Sequence, residues 1–184
     1  MRMRWILFAA CLSLTCLTLT APALGHAENC AWLNAATAGG LLGVEASVKI
    51  DPITEHLTPN QVSARQITGA RPDAACIFLP QQGTTDARLE IAVHTMANIS
   101  AEFPAYTAAC GKDSVSLRAV GNEAIECSSH NAHGLRVETV VGRVRDRAFL
   151  LTWAIPGDGP NAMSQDAIRE KMRNLAEQVA GSMF

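Results

Sequence analysis

The stretch CSSHNAH, Cys127 to His133, sets one cysteine and two histidines three residues apart, a spacing at which metal ligands often occur. Whether Cys127 is free to act as a thiolate depends on the other cysteines. Of the six in the chain, Cys11 and Cys16 fall in an apolar amino-terminal run. Cys30, Cys76, Cys110 and Cys127 remain, and an even number in an exported chain is the usual mark of two disulfides. Three pairings are possible. The favoured one joins Cys30 with Cys76 and Cys110 with Cys127, because each bond closes a moderate loop between neighbouring elements. An oxidised Cys127 leaves only His130 and His133, with no carboxylate between them, where a zinc site takes three or four protein ligands. The stretch therefore reads as a polar turn closing at Gly134, and no metal or cofactor is expected.

The other chemistry-bearing residues are scattered. His56 lies in a proline-interrupted region, and His94 lies on a strand, facing away from Ile91 and Val93. The chain holds no G-x-S-x-G elbow, H-E-x-x-H, Walker loop, C-x-x-C or dinucleotide fingerprint. The run GDGPN at 157–161 lacks phosphate-loop spacing and reads as the turn into a last helix. NIS at Asn98 is a glycosylation sequon in form only, since a eukaryotic host is not expected.

The chain opens with MRMR, an uncharged apolar run, Pro22 and then GHA, which together predict a signal peptide over residues 1–27 with cleavage after Ala27. That run is shorter than the roughly 20 apolar residues a membrane span needs. Cleavage leaves 157 of the 184 residues as a single globular domain, 28–184, secreted or periplasmic. The leader carries Arg2, Arg4 and no acid. Of 15 basic and 17 acidic side chains the mature chain keeps 13 and 17, a net charge of −4. Nucleic acid and anionic membranes attract basic surfaces, so neither is an expected partner.

Hydrophobic periodicity supplies the elements that position these residues. Asn34 and Gly43 cap a short helix, and Val44 to Ile50 alternate as a half-buried strand. Asp51 to Ala75, broken by Pro52, Pro59 and Pro72, reads as a long loop. CIFLP and ARLEIAVHTM pair as a hairpin across QQGTTD. ISAEFPAYTAACG is helical, starting at Ser100 or with Pro104 in its first turn, and ending at Gly111. SVSLRAV and EAIECSS are strands separated by GNEA.

The hairpin LRVETVVGRVRDRAFLLTWAI turns at Arg145 and Asp146. A two-residue turn sets Gly142 opposite Phe149 and Glu138 opposite Trp153. Gly142 then gives the ring room to lie across its strand, or else marks a bulge. Phe149 to Ile155 is apolar on both faces, so it belongs in the centre of a covered sheet. Ile168, Met172, Leu175 and Val179 recur at helical spacing in Ser164–Gly181 and provide one cover.

With AATAGGLLG at the front, CIF before a strand, GNEA in the middle and VGRVRDRAFLLTW before the last helix, the mature chain resembles bacterial secreted domains of unknown function that look like the PsbP-type α/β/α sandwich. The resemblance implies an α+β fold, a central antiparallel β-sheet flanked by helices, in a bacterial host. It also implies accessory, assembly or binding roles at the cell envelope, and carries no catalytic residues with it. The expected function is thus an exported non-enzymatic binding module for a protein or small ligand. Its partner is expected at the 51–75 loop, since long irregular loops in compact domains are usually functional or disordered. The alternative is an envelope hydrolase or metal-dependent enzyme built from His56, His94, His130 or His133 with nearby acids, which needs those histidines to converge.

Overall fold

Seven strands and three helices make up the fold in a computed structural model that describes residues 30–43, 45–51, 74–81, 87–108, 110–131, 134–155 and 163–184. In chain order they are α1 (Ala35–Leu42), β1 (Ala46–Asp51), β2 (Ala74–Pro80), β3 (Arg88–Thr95), α2 (Ile99–Ala108), β4 (Val115–Leu117), β5 (Glu123–His130), β6 (Arg136–Val144), β7 (Arg147–Ile155) and α3 (Gln165–Gly181). The signal-peptide segment and His56 lie outside the described residues, as does the 51–75 loop apart from its two ends, which belong to β1 and β2.

All pairings are antiparallel, in the order β1-β2-β3-β7-β6-β5-β4. Two meanders, β1–β3 and β4–β7, meet at the β3–β7 pair, which puts β7 in the middle with three strands on each side. That is where a strand apolar on both faces belongs. Its alternate residues enter two different cores. Phe149, Leu151 and Trp153 pack with Ala38 and Leu41 of α1 and Ile168 and Met172 of α3, whereas Ala148 and Leu150 pack with Phe103 and Tyr106 of α2. The sheet therefore carries α1 and α3 on one face and α2 on the other, an α+β architecture. Among the described residues no helix is long and apolar enough to cross a membrane.

Local chemistry explains the helix ends. Asn34 Oδ1 accepts from the Thr37 N–H at 2.8 Å, and Gly43 leaves α1 at φ +73°. Ser164 Oγ caps α3 by accepting from the Ala167 N–H. The α2 start differs from expectation. It lies at Ile99, ahead of both Ser100 and Pro104, because Asn98 and Glu102 close a reciprocal cap: Asn98 Oδ1 accepts from Ala101 N–H, and Glu102 Oε1 accepts from Asn98 N–H. Pro104 then sits inside the helix.

The β6–β7 register is the one a two-residue turn dictates, with Gly142 opposite Phe149 and Glu138 opposite Trp153. Pairing runs unbroken from Arg136 to Val144, so Gly142 is not a bulge. A Cβ there would overlap the Phe149 ring and come within 2.7 Å of its Cε1. The GNEA turn braces this hairpin: Asn122 N–H donates to the Arg143 carbonyl and Asn122 Oδ1 accepts from the Arg145 N–H, which is held at φ +56°.

Candidate functional site

The two disulfides are Cys30–Cys76 and Cys110–Cys127. The first ties the segment before α1 to β2, and the second ties the end of α2 to β5. Cys127 is thereby removed as a thiolate. The remaining members of CSSHNAH do not form one turn. Ser128, Ser129 and His130 continue β5, with His130 opposite Arg136. The turn begins at Asn131, whose side chain accepts from the Leu135 N–H. The strand runs on because Ser128, in register with Glu138, has a partner to meet. His133 lies outside the described residues.

The described histidines do not converge. His94 is buried on the α2 side of the sheet, 1 % exposed, with its ring 5.2 Å from that of Tyr106. His130 is exposed at the far end of β5, in the series Ala124, Glu126, Ser128 that faces α3. Among the described residues no group of three or more His, Cys, Asp or Glu is placed to hold a metal.

Two other features come together instead. The first is a polar cluster under the first turns of α3. Glu138 is fully buried and accepts from Arg136 Nε at 2.7 Å, Ser128 Oγ at 2.5 Å and Gln165 Nε2 at 3.2 Å. Gln165 Nε2 also donates to Ser128 Oγ at 3.1 Å. A carboxylate already taken by three donors is an anchor for the helix end rather than a base for Ser128. Glu126, also on the α3 side of β5, is 5 % exposed. Burial pushes its carboxyl above the ordinary range, the negative charge of Glu138 pushes it the same way, and Arg169 opposes both. Neither glutamate was singled out on the sequence as a site residue. The available signal was an acid at an inward position of an alternating strand: Glu138 shares its face with Val140 and Gly142.

Comparison with known proteins finds no family profile and no curated protein that matches this chain.

The second feature is a groove of about 600 Å³ between α2 and the outer strands β4 and β5, within the usual size range for small-ligand sites. Phe103, Pro104 and Thr107 of α2 form one wall, and Ser116, Leu117 and Ile125 form the other. Cys110–Cys127 tethers α2 to β5 beside it. Asn122 and Glu123 also line it, and the Glu123 carboxylate is paired with Arg143, whose guanidinium lies 5.8 Å over the Phe103 ring. Neither His94 nor His130 lines it. The groove offers apolar and polar surface in about equal measure, with hydroxyl and amide groups and an edge strand.

Proposed function

We propose that this chain is an exported, non-enzymatic binding module of a bacterial cell envelope, and that the groove between α2 and β4–β5 holds its ligand. The observation that carries this reading is the tethered groove itself, an apolar and hydroxyl-lined recess whose walls a disulfide holds in place. The amino-terminal leader and the disulfides favour export, and the PsbP-type resemblance favours an accessory role. The enzyme alternative gains no support from His94 and His130, which occupy opposite faces of the sheet.

The test uses tagged mature protein purified from its native envelope, together with Ala108→Arg and Ser116→Arg, two substitutions at exposed positions on facing walls. The double variant is expected to keep its Tm within a few degrees and to recover at least about tenfold less of the co-purifying component, a loss of about 1.4 kcal/mol in binding. A companion variant, with Ile53 to Thr68 replaced by a short Gly and Ser linker, is expected to retain it. Retention by the groove variant and loss by the linker variant would transfer the role to the 51–75 segment.

A further inference from the structure

Glu126 is a buried ionisable group that the groove does not use. It stands in β5 between apolar neighbours, with Val115 of β4 and Val140 of β6 as its partners in register and Ala124 two residues before it. Its Oε1 is buried and has no hydrogen-bond partner. The charged groups acting on it come from β6 and α3, and β4 carries none. Glu138 of β6 is nearest in kind, its own charge held by Arg136, Ser128 and Gln165. Arg169 of α3 acts from the exposed side of the helix, and His130 is exposed further along β5. Beside Glu126, then, one carboxylate is saturated with donors and belongs to the residue that anchors the start of α3. Nothing donates to the Oε1 of the other.

We propose that the first turns of α3 form a pH-sensitive clamp on the sheet, closed while Glu126 is protonated and loosened when Glu126 ionises next to Glu138. A neutral carboxyl tolerates an apolar pocket, whereas a carboxylate with a buried oxygen that no donor meets, as Oε1 of Glu126 is, is costly. The costs are relieved by letting water reach Glu126, and the element in the way is the helix end held by Gln165. The direction follows from linkage. Glu126 holds its proton to higher pH in the folded chain than in the unfolded one. Its contribution is therefore complete at pH below the ordinary glutamate range and is lost as pH rises through its folded-state titration. An exported domain meets the pH of its surroundings, and this helix end would respond to it. The clamp is independent of the groove reading, since Glu126 lies on the opposite face of the sheet from α2.

Hydrogen exchange on the mature protein from pH 4, below the ordinary glutamate range, up to pH 8 tests this. Opening constants for the amides of 168–172 in α3, corrected for intrinsic exchange, are expected to rise about threefold or more across that range. Those of α2, on the other face, are expected to stay flat. Glu126→Gln is expected to abolish the rise, and Arg169→Gln, which removes the opposing cation at an exposed position, is expected to steepen it. Flat behaviour in α3 of the unaltered protein, an equal rise in α2, or a slope that survives Glu126→Gln would overturn the clamp. Should Glu126→Gln fail to fold, Arg169→Gln decides: an unchanged slope rejects the proposal and a steeper one supports it.

Discussion

Replacing Cys30 and Cys76 together by alanine is expected to lower the stability of the mature chain by about 4 kcal/mol, against about 3 kcal/mol for the Cys110 and Cys127 pair. The order follows from chain closure, since the first bond spans 46 residues and the second 17. Location adds to it. Cys30 and Cys76 both lie in the core beneath α1 and α3, beside Leu33, so alanine there also leaves a small void. The first bond also holds the chain entering α1 against β2, and α1 has only eight residues, buries Ala38, Gly39 and Leu41, and is too short to persist alone. Domains of this size are stable by about 5 to 15 kcal/mol in all, so the Cys30 and Cys76 variant should stand near its folding limit at 37 °C. The Cys110 and Cys127 variant should stay folded but lose the tether beside the groove, and under the proposed function it should also lose most recovery of the co-purifying component. Urea denaturation of the three proteins measures the order. A larger loss for the shorter loop would show that local packing, not loop closure, governs both bonds.

The sequence was most informative where one residue type has one use. Val140, Gly142, Phe149 and Leu151 alternate around a two-residue turn, and a slip of one position would have sent their side chains to the wrong face, so the register was legible. The same holds for Asn34 and Gly43, whose capping chemistry is local. Of the two α2 starts read from the sequence, Ser100 lies one residue from the observed Ile99 and Pro104 lies in the second turn; the choice stayed open because the Asn98 and Glu102 pair acts through a reciprocal bond that each residue announces only weakly. Neither feature of the site was legible, for a different reason. Glu126 and Glu138 are ordinary acids in sequence and become unusual only once β5 and β6 pair and α3 covers them. Cysteine and histidine in CSSHNAH drew attention by type and spacing, yet consecutive residues of a strand point alternately to opposite faces, so Cys127 and His130 lie on opposite faces of β5. The groove depends on where α2 rests over the far edge of the sheet, a relation between segments that no local pattern encodes.

Gly142→Ala is expected to destabilise the chain by about 2 to 3 kcal/mol, the usual cost of forcing extra volume into a packed core. In an ordinary strand the same change stabilises, because glycine loses the most backbone freedom on folding. Here the added Cβ would press on the Cζ and Cε1 edge of the Phe149 ring, 2.7 Å from Cε1, and lie 3.1 Å from the Ala124 Cβ, so neither cross-strand neighbour leaves it room. The ring cannot simply turn away, since Phe149 is fully buried in the core shared by α1 and α3. Leucine at 149 ends short of the ring atoms that lie over Gly142, and in a Phe149→Leu background Gly142→Ala is expected to cost less than about 1 kcal/mol. The double-mutant cycle should then show a coupling of about 1 to 2 kcal/mol. Equal costs in the two backgrounds would mean that the glycine serves the strand's backbone rather than the ring, and the cross-strand contact would lose its role in fixing the centre of the sheet.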